Sequence, residues 1–281
     1  MIRLSLVQTK GIIHMHESCL DKVRVFIDEY LGEYKDKDLS VLDVGSMTAF
    51  DTHKSHRPLI ADTRWKYTGL DIEPGPNVDV VPGDPYDWKE IPDNNFDVVL
   101  CSQVFEHVEF IWISILEISR VLKPNGLACI IAPSAGTVHR HPYDCWRYYP
   151  DGLQALAKYA DLKVLESDVQ NNPVYKKGNI WKDASIIVQK PAIDDQSHPA
   201  RHVKNMLAKL TLKNNITRAD IESIDYSYRP DKESIIQQME GREAIPRLEN
   251  ELLISQGAMR VKVKIIVGHL REILRCIRKP L

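Results

Sequence analysis

Between Ser134 and Gly152 the chain reads SAGTVHRHPYDCWRYYPDG, its densest run of groups able to move protons, grip anions or stack on a flat ligand. His139 and His141 are candidate general bases. An imidazole titrates near neutrality and can take a proton from a hydroxyl within hydrogen-bond reach. Asp144 is suited to orient one of them or to contact a substrate, and Arg140, Trp146, Arg147 and Tyr148 are candidate substrate-binding residues. Other readings of the same residues stay open. The two histidines with Asp144 would make part of a divalent-metal site, but the ligand set is incomplete and no metal is assigned. Arg147 reads equally as an internal partner of Asp144. At least one of Trp146, Tyr148 and Tyr149 reads as filling between loop and sheet. His107, next to Glu106, is a third candidate base, or else a residue that locks a helix start.

Such a loop needs a rigid support, and the preceding sequence supplies one. Short apolar runs recur at 39–45, 66–72, 78–81, 96–102 and 127–133. Between several of them lie segments long enough for helices, most clearly IWISILEISRVLK at 111–123, closed by the Pro-Asn-Gly turn at 124–126. Near-continuous apolar strands alternating with crossovers predict a parallel sheet covered on both faces. Residues 16–34 have the recurrence of an amphipathic helix that leads into the first strand. After residue 150 a helix at 151–160 precedes two strands, 162–170 and 184–190, spaced as an antiparallel pair. From Pro191 onward the chain is polar with helical patches. The expected division is an N-terminal lid and helix at 1–37, a main domain at 38–190, and a helical extension at 191–281.

In open α/β sheets ligands sit beyond the carboxyl ends of the strands, where the strand order reverses. The first four predicted strands each end there in polar residues. Asp43, Gly45 and Ser46 close the first, and Gly45 lets the backbone turn tightly against a ligand. Asp71, followed by Ile72, closes the second, 26 residues after Gly45, where a carboxylate can accept from both hydroxyls of a ribose. Asp84 and Pro85 follow the third, suited to an adenine amino group, and Ser102 and Gln103 end the fourth. Each Asp alone is as easily a turn residue or helix cap.

Taken in order, VLDVGS, YTGLDI, VPGDPYDW, IPDNNFDVVLCSQVFEHV and ISRVLKPNGLACIIAPS resemble the class I S-adenosylmethionine-dependent methyltransferases, in their small-molecule branch, over residues 38–190. The resemblance implies a Rossmann-like, doubly wound, mostly parallel sheet of seven strands with an antiparallel last strand. It also implies S-adenosyl-L-methionine as cofactor. Asp43 and Gly45 would border its methionine part, Asp71 its ribose and Asp84 its adenine, with Ser102, Gln103 and His107 on the sulfonium side. The family's G-x-G-x-G is here Gly-Ser-Met-Thr-Ala, so two close-approach positions carry side chains. A pyrophosphate cofactor would tolerate that less, because it needs the close helix N-terminus that glycines allow. The resemblance further implies methyl transfer to a small polar acceptor. Oxygen is the preferred atom, and similar His-x-x-Pro-x-Asp-x-Trp-Arg loops point to surface-polysaccharide precursors. A natural-product scaffold methylated at O or N, or a non-catalytic scaffold subunit, are the alternatives.

Composition narrows the setting. The 281 residues carry a formal charge of −2, which argues against a surface built for nucleic acid. Five scattered cysteines without C-x-x-C spacing fit a reducing cytoplasm better than a disulfide framework. No stretch reaches the length of apolar chain that spans a bilayer. The charge is uneven, however: residues 257–281 hold seven Lys or Arg against Glu272 alone, leaving 30 basic and 38 acidic residues elsewhere. With Ile265, Ile266, Leu270, Ile273, Leu274 and Ile277 they form a basic amphipathic helix or helix pair. It would pack on the acidic body or a second copy, or lie on an anionic membrane surface. His14 and His16 precede the first helix, where a cofactor lid is expected.

Overall fold

The computed structural model describes residues 17–48, 55–170, 180–192, 197–225 and 227. His14, His16 and the basic segment 257–281 lie outside them. Six strands form one sheet: β1 (Ser40–Val44), β2 (Lys66–Leu70), β3 (Phe96–Ser102), β4 (Leu122–Pro133), β5 (Lys163–Val169) and β6 (Asp183–Gln189), in the order β2-β1-β3-β4-β6-β5. The pairs β1·β2, β1·β3 and β3·β4 are parallel. β6 runs antiparallel to both of its neighbours. Strand order reverses at β1, so the crevice of this α/β fold opens beyond the tips of β1 and β3.

Every residue of β1 and of β3 is buried, as strands covered on both faces must be. Alternate side chains feed two cores. On one face Val41, Val98, Leu100, Cys129 and Ile131 meet Val23, Phe26 and Ile27 of α1 (Glu17–Tyr30). On the other, Leu42, Val44, Val99, Cys101 and Ile130 meet Ile115 and Ile118 of α2 (Ile111–Val121) and Leu153 and Ala157 of α3 (Pro150–Tyr159). The first predicted helix stops earlier than expected, at Tyr30, and a 3-10 turn spans Gly32–Tyr34. α2 likewise ends at Val121, because Leu122 already pairs with Phe96 and begins β4.

Among the described residues the predicted third strand, 78–81, is not one: it contributes a single parallel bridge, Leu70 to Val80. Asp79 explains this, since its carboxylate accepts from the Gly69 amide at 2.8 Å and from Arg57 at 2.9 Å, a side chain standing where ladder bonds would run. Pro82 then has no amide to donate.

Beyond the boundary expected at 190, α4 (Ser197–Leu210) packs on α2, with Ala208 inside the core, and α5 (Arg218–Glu222) follows. Asn205 donates to Glu117 at 2.8 Å, and Lys209 reaches both Asp87 (2.6 Å) and Glu117 (3.0 Å). The main body therefore continues through α4. Among the described residues no helix is long and apolar enough to cross a membrane.

Candidate functional site

The strand tips converge as predicted, but several of their side chains are engaged internally. Asp43 is 1% exposed; its carboxylate accepts from the Tyr67 hydroxyl and lies 2.8 Å from His56 Nδ1. It braces β1 against β2 and the 55–60 segment rather than bordering a ligand. Ser46 is likewise buried, donating to Asn77 O at 3.0 Å. Gly45 has φ +74°, and a Cβ there would lie 2.2 Å from Val104 Cγ2. Its missing side chain thus leaves room for a neighbouring residue of the protein itself.

Asp71 is better placed for a ligand. Its Oδ2 accepts from the Met47 amide at 2.9 Å, which ties the β2 tip to the loop after β1 and leaves lone pairs for further donors. Burial raises its pKa, against the lowering effect of the Met47 amide. Ile72 beside it is 53% exposed. Asp84 and Pro85 are exposed; Asp84 accepts from the Tyr86 amide at 2.8 Å and Pro85 O from the Trp88 indole at 3.0 Å, so both shape their own turn.

At the tip of β3, Ser102 is buried and its hydroxyl has no hydrogen-bond partner among the described residues. Gln103 adopts φ +59°, a left-handed backbone uncommon outside glycine and concentrated at functional sites. Its amide group donates to Asp183 at 3.1 Å and to Cys19 Sγ at 3.2 Å, which engages the side chain internally. Thr48 Oγ1 is also buried without a partner among the described residues.

The loop after β4 is laced to the 3-10 turn Phe105–His107. The Cys145 and Trp146 amides donate to Glu106 O (2.7 and 3.3 Å), the Trp146 indole to Val108 O (2.8 Å), and the Tyr148 hydroxyl to Phe105 O (2.9 Å). These bonds bring all three candidate bases together. Ring centroids lie 4.9 Å apart for His107 and His139, 5.7 Å for His107 and His141, and 6.2 Å for His139 and His141. Arg140 and His141 are exposed.

Tyr148 is 4% exposed and anchors the loop to the core, which corrects its expected role in substrate binding. Asp144 pairs with Arg147, whose Nη2 donates to it at 2.9 Å, and accepts from the His139 amide at 2.7 Å. The Arg147 guanidinium holds the Asp144 carboxyl down at about 2. The internal reading of Arg147 is therefore the observed one, and Asp144 orients the loop from behind the histidines.

Two residues of this site escaped the sequence reading. Glu106 is fully buried, and neither carboxylate oxygen has a hydrogen-bond partner among the described residues. Burial pushes its pKa up to about 8 and lowers those of His107 and His139. Its Oε1 lies 3.6 Å from His107 Nε2 and 4.0 Å from His139 Nε2. The Glu-His pair in the sequence was the available signal. Trp181, 4.4 Å between centroids from His139 and beneath the Arg147 guanidinium, carried none, because it sits before β6 and is brought in only by sheet pairing.

A sheet with this strand order and an acidic residue at the tip of β2 agrees with the resemblance to class I methyltransferases. Residues 42–130 match a family described as "Methyltransferase domain". That match supports an S-adenosylmethionine-dependent methyltransferase, with S-adenosylmethionine as its cofactor. A search of curated proteins finds no match.

Similar solved structures include 1,6-didemethyltoxoflavin-N1-methyltransferase of Burkholderia thailandensis, with bound 1,6-didemethyltoxoflavin and S-adenosylhomocysteine. It shares 15% identity over 62% of this chain and 79% of that one, at a TM-score of 0.47. A SAM-dependent methyltransferase from Archaeoglobus fulgidus shares 17% over 61% and 94%, at 0.46. The [4+2]-cyclase SpnF shares 16% over 62% and 82%, at 0.47. The residues present fit the cofactor: Asp71 would offer acceptors to ribose hydroxyls, and the buried Ser102 and Thr48 hydroxyls have no partner among the described residues.

Proposed function

We propose that the protein transfers the methyl group of S-adenosylmethionine to a hydroxyl of a small polar acceptor, a sugar or phosphorylated surface-polysaccharide precursor. The observation that carries this reading is the convergence of three imidazoles on the rim next to the β3 tip. The cofactor supplies an electrophilic methyl on a sulfonium. What the chain must add is an oxygen held in line and relieved of its proton. His141, exposed at the mouth of the cluster, is the base in this reading, with His107 and His139 set behind it. Arg140 and Trp146, both exposed on the same loop, would grip the acceptor's charged or flat parts. The polar, cationic lining favours a hydroxylated anion over an apolar scaffold. An N-terminal lid over the cofactor and cytoplasmic residence accompany this reading.

The test is incubation with methyl-labelled S-adenosylmethionine and a panel of nucleotide sugars, sugar phosphates and amines. The expected product is an O-methyl sugar. Its formation should fall by roughly 10²-fold or more in His141→Ala, the range typical of a lost general base. Turnover confined to amines or apolar phenols would refute the acceptor class.

A further inference from the structure

The groups facing one another behind His141 are two imidazole nitrogens and a carboxylate. One ligand atom from each of Glu106, His107 and His139 lies within 4.8 Å of the other two, and Glu106 Oε1 is 3.6 Å from His107 Nε2 and 4.0 Å from His139 Nε2. Four-coordinate zinc with bonds of about 2.0–2.1 Å sets its ligand atoms roughly 3.3 Å apart, so a contraction of at most about 1.5 Å would close the set. The other nitrogen of His107 is held closely, and that of His139 by longer contacts, which include Arg147 Nη2 at 3.5 Å. His107 Nδ1 lies 2.6 Å from Tyr143 O, and His139 Nδ1 lies 3.4 Å from Thr137 O and 3.5 Å from Asp144 Oδ2. That leaves both Nε2 atoms turned toward Glu106, the orientation that outer hydrogen bonds impose on metal-binding histidines.

Glu106 is the second, independent observation. A fully buried carboxyl with both oxygens unpartnered among the described residues is costly unless something compensates it. The nearby cation, Arg147, is bonded to Asp144 through two nitrogens and makes no bond to Glu106. The backbone around the trio is fixed by the bonds between the 105–108 turn and the 143–148 loop, so its geometry is preorganised.

We propose that Glu106, His107 and His139 form a binding site for a divalent transition-metal ion of the zinc type. Two nitrogens and one carboxylate oxygen select such an ion over magnesium or calcium, which prefer all-oxygen sets. Three protein ligands leave a coordination position open, and His141 is close by, its ring centroid 5.7 Å from that of His107 and 6.2 Å from that of His139. Resting on the methyltransferase reading, that position takes the acceptor oxygen, lowers the pKa of its hydroxyl, and lets His141 receive the proton as the new O–C bond forms and the sulfonium C–S bond breaks.

The experiment uses the full-length protein, stripped with a chelator and titrated with Zn²⁺ by calorimetry and with Co²⁺ by visible absorption. One saturable equivalent with the absorption of a nitrogen-bound cobalt is expected. Affinity should fall at least about tenfold in Glu106→Gln and in His107→Gln. Both substitutions preserve side-chain bulk, and circular dichroism confirms their folding. Absence of one-to-one binding in the wild type, or equal binding in the folded variants, overturns the site. S-adenosylmethionine binding is measured in the same stripped samples. If it persists while metal binding fails, the metal assignment alone falls; if metal binds and S-adenosylmethionine does not, the role of the ion in methyl transfer falls instead.

Discussion

Gly45 allows the relation between packing and cofactor binding to be measured. The residue stands at the β1 tip with φ +74°, where any residue carrying a Cβ is strained by about 1–2 kcal/mol. A Cβ there would also lie 2.2 Å from Val104 Cγ2 but 3.5 Å from Val104 Cβ. The first distance forces a shift of more than an ångström and the second is ordinary contact. Overpacking of that kind costs about 1–3 kcal/mol. Gly45→Ala should therefore lose roughly 2–5 kcal/mol, the sum of the two effects. Val104→Ala removes the clashing methyl while keeping the Cβ, so in that background the cost should drop to the backbone part alone. A double-mutant cycle by urea unfolding should give a favourable coupling of about 1–3 kcal/mol. The shift also pushes on Phe105–His107, so zinc and S-adenosylmethionine affinities should weaken in Gly45→Ala and recover in part in the double variant. Additive costs, with no coupling in either readout, would refute the claim that Gly45 is glycine because of Val104.

Other perturbations address the fold and the site separately. Glu117 is buried between Arg120, Lys209, Asn205 and the Trp88 amide; burial alone would raise its pKa, yet these partners hold it at about 2, against 4.5 for the free group. That depression is worth about 3 kcal/mol, complete above about pH 4.5 and lost as pH falls through 2. Glu117→Gln should accordingly be destabilised at pH 7, with the gap to wild type less than half as large at pH 3; an unchanged gap in chemical unfolding would argue against the ion pairs. Asp71→Ala should weaken S-adenosylmethionine binding about tenfold or more, the scale of a lost charged hydrogen bond, and an unaltered calorimetric Kd would remove Asp71 from the cofactor site. Tyr148→Phe should lower stability by about 1 kcal/mol through the lost bond to Phe105 O while leaving the KM for the acceptor unchanged. A large rise in KM would restore Tyr148 to the substrate pocket.

Periodicity and strand endings were enough to read most of the scaffold. Short apolar runs bounded by turn residues read as central strands, and 40–44 and 96–102, buried throughout, behave accordingly. The run at 78–81 failed because an apolar pattern says nothing of competing side chains, and Asp79 occupies the Gly69 amide. Local sequence also put Asp71 at its tip and the three histidines in candidate positions. It could not say which polar groups would be used up inside the fold. Asp43, Ser46, Gln103 and Tyr148 all look like ligand contacts in one dimension and are all bonded internally in three.

The amino-acid order by itself pointed to most of the strands, to a ligand crevice beyond their tips and to the chemical kinds of group around it, because helix and strand periods and turn residues are local properties. Tertiary structure alone decided that Glu106 is left unpaired facing two histidines, and that Trp181 lies against one of them. The longer of those relations join Glu106 to His139, 33 positions on, and His139 to Trp181, 42 positions on, and only packing and strand pairing determine which distant atoms share a desolvated space.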